Sequence, residues 1–486
     1  MNAALAHNDH VARVAILGGG ITGLAAAYRI RDRAPGTRFV LLEASDRFGG
    51  VIRTEKIDGW LVEHGPDSLL REKPWAIDLC QRLGLGDALI PTQEQHRQTL
   101  IVRKGRVVPV PDAFRLLAPT RLAPFLLSRA LSWRGRLRAL GDLVLPRRPA
   151  GVDDESLASF VRRRLGNEVL TQLAQPLVGG IYSADPETLS LAATMPRFLD
   201  LERRHRSIIL GLMREAAASA QPSTPGTSGA RFSIFYSLEQ GLGALPDALA
   251  ACLPIDALRT GCRVTALTRS DEGWCIETTG GSLEADAVVV ALPAPKAAEL
   301  LAGFDPELAD RIAAIRCTST AVVNLAYPAT ALSRPLTALG LVVPATEGRG
   351  ILAATVASLK YAGRAPAGGV LVRAFLGGAL GAAVLSASDD DLIALARREL
   401  ADFLGLRGEP LFSRCTRWPN SMPQYAVGHL ERKAEIFARA ARHPAFALAG
   451  NAYDGVGLAD CVRSGTEAAD HVLDALADEG RKARAG

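Results

Sequence analysis

Apolar runs and polar breaks along this chain predict a strand–helix–strand unit at its start, to which later segments return. Residues 14–17 form an unbroken apolar run, as in a parallel strand buried on both faces, then break into glycines and resume as an Ala-rich helix. A second short run, 39–42, predicts the next strand. Residues 51–54 and 59–63 read as a hairpin turning at Asp58 and Gly59, and 74–90 as a helix ending at Gly84 and Gly86. A second hairpin, 100–102 with 106–108, turns at Lys104 and Gly105, and the chain then reads as helical to Pro149. From Ser156, apolar residues recur at helical spacing (Phe160, Val161, Leu165, Val169, Leu170, Leu173) until Gln175 and Pro176. The stretch 216–230, rich in Ala, Ser, Pro, Thr and Gly, reads as a linker or loop, and a helix begins near Gly243. Paired strands follow at 262–267 and 274–278, then a buried parallel strand at 287–292. Strands at 319–327, 338–345, 351–358 and 369–378 predict a second sheet. The chain closes on strand, glycine loop and helix over 446–462.

The first glycine break carries chemistry. Gly18, Gly20 and Gly23 make G-x-G-x-x-G, with Gly19 and Thr22 inside the turn. The first glycine permits the tight turn, the second lets backbone approach a pyrophosphate, and the third lets helix and strand pack closely. Free N–H groups and the positive helix end then hold phosphates. The second strand ends in Glu43, placed to accept hydrogen bonds from ribose hydroxyls. Without a ligand, the same residues would be a plain strand–helix–strand unit. Beyond Glu43, Ala44 leads through Arg47 to Gly49 and Gly50, and this E-x3-R-x-G-G run resembles the flavin amine oxidase and desaturase superfamily. That resemblance implies FAD rather than NAD, with Arg47 near the phosphates.

The remaining candidates are weighed against simpler roles. His64 and Asp67, in the turn that contains Gly65 and Pro66, read either as acid–base groups or as a partly buried histidine and a turn-forming aspartate. Gly179 and Gly180 suggest backbone lying against something flat, or a helix crossing. The closing loop, with Val456, Gly457 and Leu458, aims a second helix N-terminus toward a cofactor or simply joins strand to helix. At 486 residues the chain needs two or three domains, and 48% hydrophobic with 22% charged residues is a globular balance. The net charge of +5 gives no reason to expect nucleic acid. Seven scattered cysteines form no C-x-x-C or Cys/His cluster, so neither disulfides nor a metal site is expected. Residues 1–13 lack the apolar core of a signal peptide, and no uncharged apolar run reaches about eighteen residues; Arg373 interrupts the best one. Between 103 and 148, arginines interleaved with Phe114, Phe125, Leu126, Leu127 and Trp133 suit either an anionic lipid interface or the outer faces of packed helices. The expected location is the cytoplasm, with peripheral contact on the inner face of a membrane as the variant this basic stretch allows.

Taken together, GGGITGLAAAY, LEASDRFGGVIRT, VEHGPDSLL, VGGIYSADPETLSL, WPNSMPQYAVGHL and LAGNAYDGVGLADCVRSG resemble the oxygen-dependent porphyrinogen oxidases of haem biosynthesis over nearly the whole chain. These are the protoporphyrinogen IX oxidases and the coproporphyrin-forming coproporphyrinogen III oxidases. The resemblance implies an α/β fold: a Rossmann-like FAD-binding domain of amine oxidase type, a mixed-sheet substrate domain and an inserted helical domain. Its expected limits are 11–72, 231–300 and 418–478 for FAD binding, 73–210 for the insertion and 301–417 for the substrate. It implies non-covalent FAD held by Gly18, Gly19, Gly20, Thr22, Gly23, Glu43, Ala44, Arg47, Gly50, Gly65, Pro66, Asp67, Val264, Trp418, Val456, Gly457 and Leu458. The substrate would lie beneath Gly180 and near Tyr361, which stands where the family often has Phe. Arg97, slightly out of register, is the nearest counterpart of an arginine that pairs with a propionate. Asp67 stands where some relatives carry Asn.

The implied reaction removes hydride and protons from a porphyrinogen in successive two-electron steps, with O2 as acceptor and hydrogen peroxide as product. The cofactor supplies the difficult chemistry, so no protein residue is assigned a catalytic role. The resemblance leaves coproporphyrinogen and protoporphyrinogen both open as substrates. Ferrochelatase and a second copy of the chain are the expected protein partners. The enzyme alternative is an amine oxidase or carotenoid desaturase on the same scaffold. The non-enzyme alternative is a flavin-binding docking scaffold.

Overall fold

The computed structural model describes residues 13–96, 98–111, 114–148, 151, 154–218, 235–270 and 273–485. Arg97 and most of the 216–230 stretch lie outside the described residues. The first strand, β1 (Arg13–Leu17), leads through the glycine turn into α1 (Ile21–Arg33), and the second, β2 (Arg38–Leu42), returns beside it. They sit in a five-stranded parallel sheet in the order Leu258–Arg259, β2, β1, Ala287–Val290, Phe446–Leu448. In register, Val14 faces Phe39 on one side and Ala287 on the other. Neighbours on both sides and helices on both faces explain why β1 is apolar throughout and fully buried from Val14 to Leu17. The last segment of chain thus closes the sheet that the first segment opened.

The hairpin after the second glycine pair is β3 (Thr54–Ile57) and β4 (Trp60–Glu63), and Asp58 and Gly59 both adopt positive φ at the turn, as a tight hairpin requires. It meets a second, seven-stranded sheet in the order Phe412–Pro423, Cys317–Pro328, Gly369–Gly377, Ile351–Val356, Ala338–Val342, Gln98–Arg103, Arg106–Pro109. One pairing, Gln98–Arg103 with Ala338–Val342, is parallel, and the others are antiparallel, so the sheet is mixed. Alternate residues divide between its faces. Val102, Leu341, Ala354 and Ala374 pack under the helix Asp389–Leu404, while Ile101, Val342, Ala353 and Phe375 pack against a helical block whose core is Phe125, Phe160, Leu173, Leu201 and Ile209.

Several elements differ from expectation. The helix expected over 74–90 is only Trp75–Arg82, stopped where Gly84 takes φ +75°, with a short strand, Leu89–Pro91, beyond it. The expected hairpin forms at 98–109 and its two strands join the seven-stranded sheet, and beyond it, in the stretch expected to be helical to Pro149, Phe114–Arg115 and Ala118–Pro119 pair as strands. The helix expected from Ser156 to Gln175 and Pro176 is broken where Gly166 takes φ +93°, after Leu157–Arg164, and the piece from Asn167 passes through a π turn, Leu170–Ala174, into Gln175–Tyr182. That turn shifts the hydrogen-bond register, and Pro176, in the first turn of the new helix, needs no N–H partner there. Finally, Phe412–Pro423 is a strand that crosses the expected boundary at 417/418. Its half-buried, polar-rich sequence hides the alternation, and Pro419 is tolerated because the strand is at the sheet edge.

Candidate active site

The glycines of the first turn each have a distinct spatial duty. Gly18 holds φ +108°, and a Cβ there would stand 2.5 Å from the Ala291 carbonyl oxygen; a Cβ on Gly23 would stand 1.9 Å from that of Gly18. Those two are demanded by packing alone. Gly20 is different: a Cβ there would meet nothing within 4 Å, so that position opens onto free space. Gly20 pairs with Gly49 in a bridge, and Gly49 N–H donates to the Gly19 carbonyl at 2.8 Å. The exposed Gly50 stands against Gly20, the Cβ position being 3.2 Å from Gly20 Cα. The first turn of α1 has no side-chain cap and no acidic residue. An open glycine cradle at an uncapped helix start fits an anionic pyrophosphate.

Glu43 is fixed at the end of β2 by Gly19 N–H on Oε2 and by Ser45 N–H and Oγ–H on Oε1, each at 2.8 Å. Its backbone is stitched to Arg259 and Cys262 at 2.8 Å, which brings the start of the strand Val264–Ser270 beside it. Ala44 is exposed at this edge. Arg47 donates instead to the carbonyls of Phe48, Ile52 and Gly50 at 3.1, 3.0 and 2.5 Å, clamping the glycine loop. Burial lowers its pKa from the usual guanidinium value. Its hydrogen bonds go to the loop, whereas the resemblance implied the phosphates.

From Gly50 the loop leads to the 65–67 turn. A Cβ on Gly65 would lie 1.9 Å from the Val51 carbonyl oxygen, so only glycine fits. Trp418 Nε1–H donates to the His64 carbonyl at 2.8 Å, and Arg373 donates to the Gly65 carbonyl. Asp67 lies between Lys360 Nζ at 2.8 Å and Arg373 Nη1 at 2.6 Å, and it also accepts from Ser68 at 2.7 Å. These two cations hold the Asp67 carboxyl well below its ordinary range against the opposing effect of burial. His64 bonds Glu55 at 2.9 Å and Thr416 at 2.7 Å, and burial lowers its pKa. Both side chains are tied into structural pairs, so of the two readings of this turn the geometry supports the non-catalytic one.

Tyr361 is 1% exposed, and its hydroxyl meets Ser68 Oγ at 2.8 Å. It therefore lies behind the turn rather than on an open wall. Gly180 is exposed near the end of Gln175–Tyr182, with nothing within 4 Å of a Cβ. Its segment reaches the second sheet where Ala379 N–H donates to the Ser183 carbonyl at 2.8 Å. That is just past Gly377, which pairs with Thr320, itself opposite Trp418. Tyr361 and Gly180 thus approach from different parts of the Gly369–Gly377 strand, the former beside Arg373 and the latter beyond its end.

The closing turn completes the arrangement. Gly455 has φ +102°, and a Cβ there would stand 2.3 Å from Asp460 Cγ; Asp460 is paired with Lys73 at 2.6 Å. Tyr425 braces the loop, its hydroxyl donating to the Asn451 carbonyl at 2.7 Å and accepting from Gly455 N–H at 2.8 Å. Val456 and Gly457 then lead into the C-terminal helix Leu458–Ala485. A Cβ on Gly465 of that helix would be 2.1 Å from the Thr22 carbonyl oxygen, and the buried Cys461 thiol hydrogen-bonds Thr22, so the starts of this helix and α1 converge. Sequence reasoning missed Ser68, Lys360, Arg373 and Tyr425. The one available signal was Arg373, a charge inside an otherwise apolar strand. Among the described residues, no group of His, Cys, Asp or Glu could hold a metal ion, and no helix is long and apolar enough to cross a membrane.

The class follows from this architecture. The model of the flavin containing amine oxidoreductase family matches residues 21–473, and a flavin is the cofactor of that class. The chain is 37% identical to the coproporphyrinogen III oxidase of Propionibacterium freudenreichii subsp. freudenreichii, over 95% of this chain and 90% of that protein. It is 35% identical to the protoporphyrinogen oxidase of Homo sapiens, over 95% and 98%. It superposes on a crystal structure from Exiguobacterium sp. 255-15 with a TM-score of 0.84 at 31% identity, covering 95% of this chain and 99% of that one. The chain belongs to the porphyrinogen oxidases within the flavin containing amine oxidoreductase family.

Proposed function

We propose that this protein is an FAD-dependent porphyrinogen oxidase. It would oxidise coproporphyrinogen III to coproporphyrin III, or protoporphyrinogen IX to protoporphyrin IX, in three two-electron steps, each using one O2 and releasing one H2O2. The observation that carries the reading is the convergence of two strand–glycine–helix turns at Thr22 and Gly465 beside the rigid 65–67 turn. That arrangement suits a dinucleotide followed by a flat ring, and the chain aligns over nearly the whole length of relatives named for porphyrinogen oxidation.

In this reading Gly18, Gly19, Gly20, Thr22 and Gly23 hold the diphosphate, Glu43 and Ala44 the ribose, and Val264 the adenine. Arg47 shapes the loop that ends in Gly50. Gly65, Pro66, Asp67, Trp418, Val456, Gly457 and Leu458 frame the ring. When bound, FAD supplies the acceptor for hydride. The chain's part is positional: Gly180 leaves room for a planar macrocycle, and Tyr361 with Ser68 keeps the floor of the turn rigid. Ferrochelatase and a second copy of the chain are the protein partners we would test first. We also assign peripheral contact with an anionic membrane to the basic stretch, where Leu127 is 82% and Trp133 60% exposed among arginines. Retention on phosphatidylglycerol vesicles that is lost in Trp133→Ser checks that assignment.

The test of function is anaerobic mixing of FAD-loaded protein with coproporphyrinogen III and, separately, protoporphyrinogen IX. Bleaching of the flavin band, followed by growth of a Soret band once O2 is admitted to reoxidise the flavin for the remaining two-electron steps, supports the reading, and the faster substrate identifies the physiological one. Bleaching by neither, with turnover of polyamines, transfers the protein to the amine oxidase alternative. FAD bound but reduced by no substrate supports the docking scaffold.

A further inference from the structure

Behind the 65–67 turn lies a buried group of five charged side chains, three of them cations. Asp67 pairs with Lys360 at 2.8 Å and Arg373 at 2.6 Å. Arg364, 1% exposed, donates to Ser237 Oγ at 2.8 Å and to the carbonyls of Leu238 and Glu239 at 2.9 and 3.1 Å, all uncharged acceptors. The Arg364 guanidinium and the Lys360 ammonium both lie 5.3 Å from the Tyr361 ring. Glu63, the remaining carboxylate, accepts from Thr54 at 2.7 Å and Leu242 N–H at 2.7 Å. Burial raises its pKa and so disfavours its charge, just as burial lowers the pKa of Lys360 and Arg364. By formal charge, Lys360, Arg364 and Arg373 outnumber Asp67 and Glu63 by three to two.

This surplus adjoins the path a bound dinucleotide would follow. Close backbone approaches run from Gly20 to Gly50 and from Val51 to Gly65, and the Gly65 carbonyl is itself held by Arg373. We propose that Lys360, Arg364 and Arg373 form a buried positive charge that raises the reduction potential of the flavin, with Asp67 setting its size. The inference rests on the flavin reading above. Uptake of a hydride, two electrons and one proton, makes the ring one charge more negative. A fixed positive charge in a poorly screened interior stabilises that state without further reorganisation. These act at a distance by their field and are positioning rather than catalytic residues.

Two variants of opposite sign test it. Lys360→Met removes a cation while leaving Asp67 paired with Arg373, and Asp67→Asn enlarges the surplus. Both are purified with FAD and titrated with sulfite, which adds to oxidised flavin as an anion, and with dithionite in the presence of a reference dye. Lys360→Met should weaken sulfite binding at least tenfold and lower the midpoint potential by the equivalent, about 30 mV for a two-electron couple. Asp67→Asn should shift both the other way. Lys296→Met, on an exposed helix far in sequence from this group, should change neither. Potentials that stay fixed, or that move in one direction in both variants as general loosening would produce, overturn the proposal; if one variant does not fold, the sign of the other decides. Wild-type protein that takes up no FAD overturns the flavin reading itself.

Discussion

Two buried ion networks in this molecule use the same residue types to different ends. In the helical block, Arg148, Arg163 and Arg164 face Asp142, Glu155 and Glu202, an equal number of cations and carboxylates. Arg164 and Asp142 are wholly buried. Arg164 donates to Asp142 Oδ1 at 2.6 Å and to the carbonyls of Pro146 and Arg206 at 2.8 and 2.7 Å; Asp142 also accepts from Ser207 and Ile209. That network ties three helical segments together. Behind the 65–67 turn, three cations face two carboxylates, with burial acting against the charge on Glu63 and on Lys360 and Arg364 alike. Desolvation makes any buried pair a poor source of net stability, so a balanced network is explained by fixing geometry. An unbalanced one retains a field that can act on a neighbour.

The largest expected effect tests the balanced network. Arg164→Met leaves Asp142 buried with only hydroxyl and amide donors, and the loss of one partner of such a pair costs about 3–5 kcal/mol. Urea unfolding should show that loss, while any folded fraction keeps the flavin potential of the wild type. A potential that moves with Arg164 would erase the distinction between the two regions. Next comes Gly65→Ala. Its methyl group has no space beside the Val51 carbonyl, and forcing it in should cost about 1–3 kcal/mol and reduce the ratio of bound FAD to protein. Retention of FAD with unchanged stability would mean that the turn yields, contrary to its close packing.

The sequence revealed the two regions unequally. Gly18, Gly20, Gly23 and Glu43 were legible because their demands are local: a positive φ, a close approach, a carboxylate at a strand end. The parallel strands were legible because burial on both faces leaves an unbroken apolar run. The ion networks were not legible, because Asp67 meets Lys360 and Arg373 across hundreds of residues, and no local spacing encodes which charges will be paired. Arg373 alone left a trace by interrupting an apolar strand. The edge strand Phe412–Pro423 stayed hidden because half-exposed residues such as Arg414 and Arg417 find ion-pair partners at the surface and blur the alternation. The π turn at Leu170–Ala174 has no sequence signature beyond the proline that follows it.

Acid titration separates the contribution of Asp67 from that of its neighbours. Its pKa is depressed in the folded protein, so its stabilising effect is complete above the unfolded value near about 3.9 and disappears as pH falls through the folded value. Asp67→Asn should therefore lie below the wild type by about 2–3 kcal/mol at neutral pH, a magnitude set by the loss of a carboxylate whose pKa is lowered in the fold. The gap should close progressively below about pH 4. Glu63 works in the opposite sense. Its raised pKa means that its charge costs stability as pH rises from the unfolded value through the folded one. Glu63→Gln should narrow its own deficit as pH rises above the unfolded carboxyl value. A gap between Asp67→Asn and wild type that is independent of pH would show that packing, not charge, links Asp67 to the second sheet.

The smallest expected effect is the control that gives the others meaning. Arg162 and Glu187 lie 2.5 Å apart at the rim of the helical block, with 46% and 54% of their side chains exposed. Water screens this pair, and ordering two long side chains offsets most of its attraction, so Arg162→Ala should cost less than about 0.5 kcal/mol and nothing at high salt. Arg163, the next residue, faces inward to Glu155 and Glu202 at 2.7 and 2.6 Å, and Arg163→Ala should cost several times more and keep most of that cost in salt. Adjacent arginines on one helix then differ only in the direction they face. If salt erased both losses equally, the inner network would be as hydrated as the rim, and its contrast with the charge behind the 65–67 turn would rest on composition alone.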